Sequence, residues 1–263
     1  MVINEIITYM ENKYPRELAS DFDIARIGLI IGDGNLPLNN ILLALDLTPD
    51  TLDEAISKNA NLIITHHPFI FNPIFKIPFS TPQGTIIKKM CAHNISLYVA
   101  HTNLDVAKGG VNDTLAEILG LVNVKIINNE VGKDNFLRYG EIPSMLFAEF
   151  VSFVRKRLNV SALKMVGNAK KTIKRVGIVG GAGATSEAIE RAIALGLDCY
   201  ITGEIKLHIA QSANNYGLAL IEVGHGIEKL VLPRLKTEME NELKLNRRIF
   251  VSAAPADPLL YNY

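Results

Sequence analysis

Histidine and carboxylate side chains occur at several points where the sequence predicts the end of a strand. Neutral imidazole and carboxylate groups are ligands for zinc, manganese, iron, cobalt and nickel, and a cluster of them is the usual sequence sign of a metal site. Ligand sites of α/β proteins form at the carboxyl ends of the strands, so these side chains are expected to meet there. The candidate residues for a divalent metal centre are His66, His67, His101, Asp105, His225 and Glu228.

Two of the histidines are adjacent in "ITHHPFIF", where an apolar run ends before Pro68. Successive side chains of a strand point to opposite faces of the sheet, so His66 and His67 are not expected to share one metal ion. Pro68 favours an extended backbone at His67 and ends the strand, which turns the chain where both side chains can reach a cleft. The pair therefore indicates two metals, unless two histidines simply happen to end this strand.

The other candidates lie in two further loops. In "AHTNLDVAKGGVND", His101 and Asp105 follow a predicted strand within one loop, although a single aspartate there is more often a turn or capping residue. In "EVGHGIEK", His225 follows a strand and Glu228 begins a predicted helix that runs to about Lys244. Residues three apart share a helix face, so His225 and Glu228 can reach one site. The alternative is that Glu228 is an ordinary first-turn acid favoured by the helix dipole.

Short apolar runs alternate with helical patterns along the chain, which predicts α/β units with mostly parallel strands. The predicted strands are Asn40 to Leu47, Asn61 to Thr65 and Ile95 to Ala100 in the first half, and Arg175 to Gly180, Asp198 to Thr202 and Leu218 to Val223 in the second. The halves match in order, and "DEAISKNANLIITHH" aligns with "SEAIERAIALGLDCYITGE". The predicted fold is two similar α/β domains from an internal duplication, with the metal site in the cleft between them.

We place the first domain at residues 1–128 and the second at residues 129–263, and expect the C-terminal segment to pack back on the first domain. In the repeat, Gly203 and Glu204 occupy the positions of His66 and His67. Glu204 is therefore expected to line the same cleft. The two halves would then supply different ligands to one site.

The composition excludes several classes of protein. Apolar residues make up 48% of the 263 residues and charged residues 21%, which supplies a core and argues against disorder. The 27 basic residues balance the 27 acidic ones, so neither nucleic acid nor a membrane is an expected partner. An amphipathic N-terminal helix in place of a signal peptide, and two cysteines in apolar segments, Cys91 and Cys199, favour a cytoplasmic protein with reduced, buried thiols.

Four separated blocks, "ITHHPFIF", "YVAHTNLDVAKGGVND", "YITGEIK" and "EVGHGIEK", resemble the dinuclear metal-centre proteins related to Ngg-interacting factor three, often labelled GTP cyclohydrolase I type 2 homologues. The resemblance extends from about Asp21 to Lys236. It implies a homohexameric ring whose subunits each hold two divalent metal ions. Carried over by position, the metal ligands are His66, His67, Asp105, His225 and Glu228, with His101 as an acid or base beside them.

This sequence departs from the family pattern at one ligand. The family usually places three residues between the last histidine and the glutamate, whereas two residues, Gly226 and Ile227, stand there in this chain. Glu228 therefore requires a local backbone that differs from the usual family segment.

Two functions agree with these features. Two metals would activate water for hydrolysis of a purine nucleotide, as in a GTP cyclohydrolase, or of a phosphoester. The alternative is a non-catalytic regulatory protein whose metal centre supports a protein partner, because the family name records an interaction rather than a reaction.

Overall fold

The fold is mixed α/β and contains two β-sheets, in a computed structural model whose described residues are 1–127 and 135–255. The α-helices of these residues are α1 (Ile3–Lys13), α2 (Pro49–Ser57), α3 (Pro82–Ala92), α4 (Thr102–Val106), α5 (Val111–Ile118), α6 (Phe147–Arg157), α7 (Ser186–Ala194), α8 (Leu207–Asn215) and α9 (Leu232–Leu243). The strands are β1 (Gly28–Ile31), β2 (Asn40–Ala44), β3 (Ala60–Thr65), β4 (Ser96–Val99), β5 (Val122–Lys125), β6 (Arg138–Leu146), β7 (Lys164–Val166), β8 (Thr172–Val179), β9 (Cys199–Thr202), β10 (Ala219–Glu222) and β11 (Ile249–Val251). Within the two described ranges, no helix has the length and apolarity that a membrane span requires.

The described chain divides into two compact units. The first unit comprises residues 1–104 and 231–255, and the second comprises residues 105–127 and 135–230. The predicted domain boundary between residues 128 and 129 lies outside the described residues.

The sheet of the first unit has the strand order β1–β4–β3–β2–β11. Strands β2, β3, β4 and β11 are parallel, whereas β1 is antiparallel to β4. The predicted strands at β2, β3 and β4 are confirmed. Because parallel strands end at the same edge of a sheet, the residues that follow Ala44, Thr65 and Val99 come together at one edge.

The sheet of the second unit has the strand order β5–β6–β8–β9–β10–β7. Strands β8, β9 and β10 are parallel, as predicted, while β5, β6 and β7 make antiparallel pairs. The antiparallel strands were not predicted, and neither was helix α6. Each sheet thus contains three adjacent parallel strands that follow one another in the chain, β2, β3 and β4 in the first and β8, β9 and β10 in the second. In the first sheet β11 adds a fourth parallel strand beside β2.

Local sequence signals fix the helices that precede and follow the site-bearing strands. Thr48 caps α2, because its hydroxyl accepts a hydrogen bond from the backbone N–H of Thr51 at 3.1 Å, and Pro49 occupies the first turn, as predicted. Leu52 and Ala55 on the inner face of α2 join the apolar core of the first unit. The helix therefore covers the sheet between β2 and β3.

The two cysteines differ in their surroundings. Cys199 is buried in β9, and burial raises the pKa of its thiol. Cys91 is exposed on α3, so the expectation of two buried thiols is wrong for this residue. The apolar residues around Cys91 in the sequence belong to the opposite face of an amphipathic helix, which has Ile86, Ile87 and Met90 buried.

A buried arginine holds the segment that follows Asp105. Arg138 of β6 has no exposed surface. Its guanidinium pairs with the Asp113 carboxylate and donates to the carbonyl groups of Val106 and Asn135, each at 2.7 Å. These bonds connect β6 to the end of α4 and to the first turn of α5.

Replacing Arg138 by methionine is expected to reduce the free energy of unfolding by about 3 kcal/mol, because one carboxylate and two carbonyl groups lose a buried partner. Urea unfolding followed by circular dichroism measures this change. The control is Arg175→Met, which alters an exposed arginine on the neighbouring strand β8 and should change stability by less than about 0.5 kcal/mol. Equal losses in the two variants would contradict a special role for the buried guanidinium.

Candidate metal centre

Three histidines converge at the carboxyl edge of the first unit's sheet. His66 and His67 follow the last residue of β3, and His101 lies two residues beyond β4. One ring nitrogen from each lies within 4.8 Å of the other two, and the ring centroids are 5.1 to 5.8 Å apart. The expected alternation of faces does not hold, because β3 ends at Thr65. The number of metals therefore does not follow from strand geometry.

Each of these histidines has its Nδ1 atom hydrogen-bonded to an oxygen acceptor. Nδ1 of His66 donates to the carbonyl of Ala100 at 2.9 Å, and Nδ1 of His67 donates to the Asp46 carboxylate at 2.8 Å. A carbonyl or ionised carboxylate oxygen cannot donate, so Nδ1 must hold the proton. The lone pair of the neutral ring is then on Nε2, which is the arrangement of a metal-binding histidine with its supporting acceptor.

His101 has a buried carboxylate as its acceptor. Nδ1 of His101 donates to Oδ2 of Asp23 at 2.9 Å, and Asp23 has no exposed surface. The same oxygen accepts from the backbone N–H of Thr102 at 3.1 Å and from its hydroxyl at 2.7 Å. The Asp23 carboxylate is therefore fixed in position before any ligand binds.

Burial and hydrogen bonding act in opposite directions on this dyad. Burial alone would raise the pKa of Asp23, but the hydrogen bonds from His101 and Thr102 and the nearby imidazole hold it below its usual range. Burial lowers the pKa of His101 below its ordinary value, and the bond to Asp23 offsets only part of that effect. At neutral pH the dyad is thus an ionised carboxylate and a neutral imidazole.

In the second unit, His225 and Glu228 lie on a 3₁₀ helix, His225–Val231, that follows β10. The predicted α-helix from Glu228 begins instead at Leu232, as α9. Side chains at i and i+3 eclipse in a 3₁₀ helix, and Nε2 of His225 lies 3.3 Å from Oε2 of Glu228. The shorter spacing of this sequence therefore still brings both groups together.

The second unit repeats the support seen at the other histidines. Nδ1 of His225 donates to Oε1 of Glu204 at 2.6 Å. Glu204 was expected to line the site because it occupies the repeat position of His67, and it contacts a candidate ligand. Its role in the structure is that of an acceptor that orients the imidazole.

Two buried carboxylates of the second unit lie close together. Asp105 is 7% exposed and Glu228 is 4% exposed, and one oxygen of each lies within 4.8 Å of the other. Two ionised carboxylates at this distance repel each other, and the repulsion is relieved by a cation or a proton between them. Together with the imidazole beside Glu228, this donor set fits a divalent metal ion.

A glycine loop after β8 forms one wall around His225 and Glu228. A Cβ on Gly181 would lie 2.5 Å from Oε1 of Glu228 and 3.2 Å from Nε2 of His225, and the φ angle of Gly181 is +59°. A side chain would therefore displace the carboxylate. The loop makes the tight turn from β8 to α7.

Asn112 connects this loop to Asp105. Its side-chain amide donates to the carbonyl of Asp105 at 3.1 Å and accepts from the backbone N–H of Gly180 at 2.8 Å. Asn112 is 1% exposed, so both bonds are shielded from water. Asn112 thus fixes the backbone of Asp105 relative to the loop beside Glu228.

Sequence reasoning missed two residues that support the histidines. Asp46 lies two residues after the end of β2. The predicted strand ran on to Leu47, so Asp46 was placed inside the strand and was not recognised as a strand-end residue. Asp23 precedes an unpredicted antiparallel strand, and no local signal indicates its role. The two remaining histidines, His93 and His208, lie at the end of α3 and within α8, in neither of the groups described above.

Replacing Asp46 by alanine is expected to weaken divalent-metal binding by about 10- to 100-fold, because the His67 ring would lose its orienting acceptor. Competition with a chelator of known affinity measures the change. Asp50→Ala removes an exposed carboxylate in the first turn of α2 and should leave the affinity unchanged. An unaltered affinity in Asp46→Ala would show that this support is not needed.

Replacing Gly181 by alanine is expected to lower the metal content per chain, because the new methyl group displaces the Glu228 carboxylate. Elemental analysis of the purified variant provides the measurement. Gly217→Ala is a matched control, since Gly217 also has a positive φ, +69°, but has open space around a Cβ. Both variants carry a backbone cost of about 1–2 kcal/mol. Metal loss in both, or in neither, would contradict the steric explanation.

Comparisons with known proteins cover the whole chain. The family model described as Duf34/NIF3 (NGG1p interacting factor 3) matches residues 1–258. A GTP cyclohydrolase 1 type 2 homolog of Clostridium acetobutylicum is 34% identical over an alignment that covers 97% of each chain. The crystal structure of Staphylococcus aureus hypothetical protein SA1388 has a TM-score of 0.92 at 30% identity, and that of a Bacillus cereus protein related to NIF3 has 0.91 at 28%. Each of these structures matches 100% of this chain and is itself covered to 99%.

Proposed function

The chain belongs to the Duf34/NIF3 family, and on that premise we propose that it is a dinuclear, divalent-metal-dependent hydrolase. The resemblance predicted from four sequence blocks is thereby confirmed, and the activity is the proposal. The substrate is a nucleotide, hydrolysed as by a GTP cyclohydrolase, or a phosphoester. The name of the Clostridium acetobutylicum relative, a GTP cyclohydrolase 1 type 2 homolog, supports the nucleotide.

The observation behind this proposal is the state of the imidazoles. All four candidate histidines have Nδ1 bound to an acceptor, which leaves Nε2 as the atom that binds a metal ion at His66, His67 and His225 and a proton at His101. The proposed ligands of the two metals are His66, His67, Asp105, His225 and Glu228. Zinc, manganese, iron, cobalt and nickel all suit this mixture of nitrogen and carboxylate donors.

Divalent ions held by these residues would supply Lewis-acid polarisation of the bond under attack and a water nucleophile at neutral pH. The protein's own acid–base group is His101. Its neutral Nε2 accepts a proton, and the resulting imidazolium is stabilised by the Asp23 carboxylate at Nδ1. Asp23 also fixes the ring orientation and the tautomer, so the proton is received at one defined atom.

Replacing His101 by glutamine is expected to leave the metal content unchanged and to reduce turnover about 10²- to 10⁴-fold, because proton transfer loses its base. Elemental analysis and assays against nucleotides and phosphoesters measure the two quantities on one preparation. The control is His93→Gln, at the exposed end of α3. A purified protein that holds two metals and hydrolyses none of these compounds would refute the hydrolase.

The alternative is a non-catalytic metal-containing regulatory protein. The family name, NGG1p interacting factor 3, favours it because it records a protein partner. In that case His101→Gln would preserve the cellular role while His66→Ala would abolish it. Under either function His66→Ala should lose metal and His101→Gln should retain it, so the cellular role, and not the metal content, separates the two functions.

Four further features are proposed from the sequence. They are an internal duplication, a cytoplasmic location, a ring of six chains and the absence of a nucleic-acid partner. The three parallel strands that follow one another in each sheet support the duplication. Light scattering in solution tests the ring, since a mass other than six times 28.9 kDa would exclude it.

A further inference from the structure

An exposed aromatic segment follows the adjacent histidines directly. In "PFIFNPIFKIPF", the side chains of Phe71, Phe75, Ile77 and Phe79 are 51%, 94%, 48% and 57% exposed. Large apolar side chains exposed as a group are typical of a ligand-binding groove or a protein interface. The metal-site residues proposed above do not account for this segment.

A groove runs along the segment and has both aromatic and polar walls. Its lining includes Phe69, Phe71, Phe75, Lys76 and Gln83, and we call it the aromatic groove. Nε2 of Gln83 donates to the Phe69 carbonyl at 3.4 Å. The other N–H of this amide and its carbonyl oxygen remain at the wall of the groove as a donor and an acceptor. The groove begins two residues after His67 in the chain.

Cations already lie on the aromatic rings around it. The guanidinium of Arg26 lies 4.2 Å from the ring centroid of Phe71 and 5.6 Å from that of Phe22. Its Nε atom donates to the Phe71 carbonyl at 2.6 Å, which fixes the stack. The ammonium of Lys88 lies 5.6 Å from the centroid of Phe79. The surface is therefore both aromatic and positively charged.

The stretch of sequence that contains the groove residues is basic and has no acidic residue. Residues 55–104 contain no aspartate or glutamate and four lysines, Lys58, Lys76, Lys88 and Lys89. Lys58 and Lys89 pair with Glu54 and Asp53, whereas Lys76 and Lys88 make no ion pair with any residue in the described part of the chain. These two ammonium groups are available to an anionic ligand.

We propose that the aromatic groove binds a nucleotide, with the base stacked on Phe75 and the phosphates at Lys76. Stacking requires only a flat aromatic face, which Phe75 presents to solvent, and phosphates complement two available lysines in a segment that has no acidic residue. A second copy of the chain would cover the apolar side chains but has no need of these cations. The inference rests on the proposed function for the choice of a nucleotide as substrate.

Equilibrium binding of GTP to the full-length purified chain, measured by calorimetry, tests the proposal. Phe75→Leu retains an apolar side chain without an aromatic face and should weaken GTP binding about 5- to 100-fold. Phe75→Tyr retains the face and should bind GTP as the unaltered protein does. Lys76→Gln should weaken binding of GTP but not of guanosine. Leu207→Ala, which alters a 75% exposed side chain on α8, is the control for loss of exposed apolar surface.

The results separate this proposal from the hydrolase. GTP binding that depends on the Phe75 ring supports the groove even if no compound is turned over. Equal GTP affinity in Phe75→Leu and the unaltered protein overturns the groove, even if hydrolysis is observed. A fall in particle mass in Phe75→Asp, with GTP affinity unchanged, would assign the groove to a second copy of the chain and also overturn the proposal.

Discussion

The hydrogen bond at Nδ1 of each candidate histidine determines what the clustered imidazoles can do. Because the partner is a carbonyl or carboxylate oxygen, the proton is confined to Nδ1 and the lone pair to Nε2. Anchoring also removes ring rotation before a ligand arrives, so less conformational entropy is lost on binding. The parallel strands make these hydrogen bonds possible, because their ends meet at one edge of the sheet. The carbonyl of Ala100 is thereby placed beside His66 and the carboxylate of Asp46 beside His67.

The second unit holds two side chains of like charge close together. Asp105 and Glu228 are buried with oxygens within 4.8 Å of each other, an arrangement that is unfavourable unless a positive charge or proton is present. The surrounding backbone holds them there through Asn112, through the glycine loop and through Arg138 behind α4. The stability of the fold and the affinity for a cation are therefore linked, because a cation bound by both carboxylates would lower their mutual repulsion in the folded chain.

The chemistry of the first unit divides between two kinds of histidine. His66 is bound to a carbonyl and His67 to the Asp46 carboxylate, which is 39% exposed. The Asp23 carboxylate paired with His101 is instead fully buried and accepts two further bonds from Thr102. That environment suits a group that gains and loses a proton at one nitrogen. The aromatic groove that follows the same strand end adds exposed aromatic rings and lysines, so recognition and reaction would share one short segment of chain.

The sequence by itself determined the parallel strands, the residue types at their ends and the family, because apolar runs and their spacing are local properties and the four motifs are contiguous. It gave no sign of Asp23, which lies 78 residues before His101. It led us to expect that the C-terminal segment packs on the first domain, but it did not identify the three-residue strand β11 that pairs with β2. The antiparallel strands were also missed, since β6 contains Pro143 and charged residues that weaken its apolar pattern. The 3₁₀ geometry that brings His225 and Glu228 together at a shortened spacing was likewise decided by the folded structure. Hydrogen bonds between residues distant in sequence depend on packing, and packing is fixed only when the whole chain has folded.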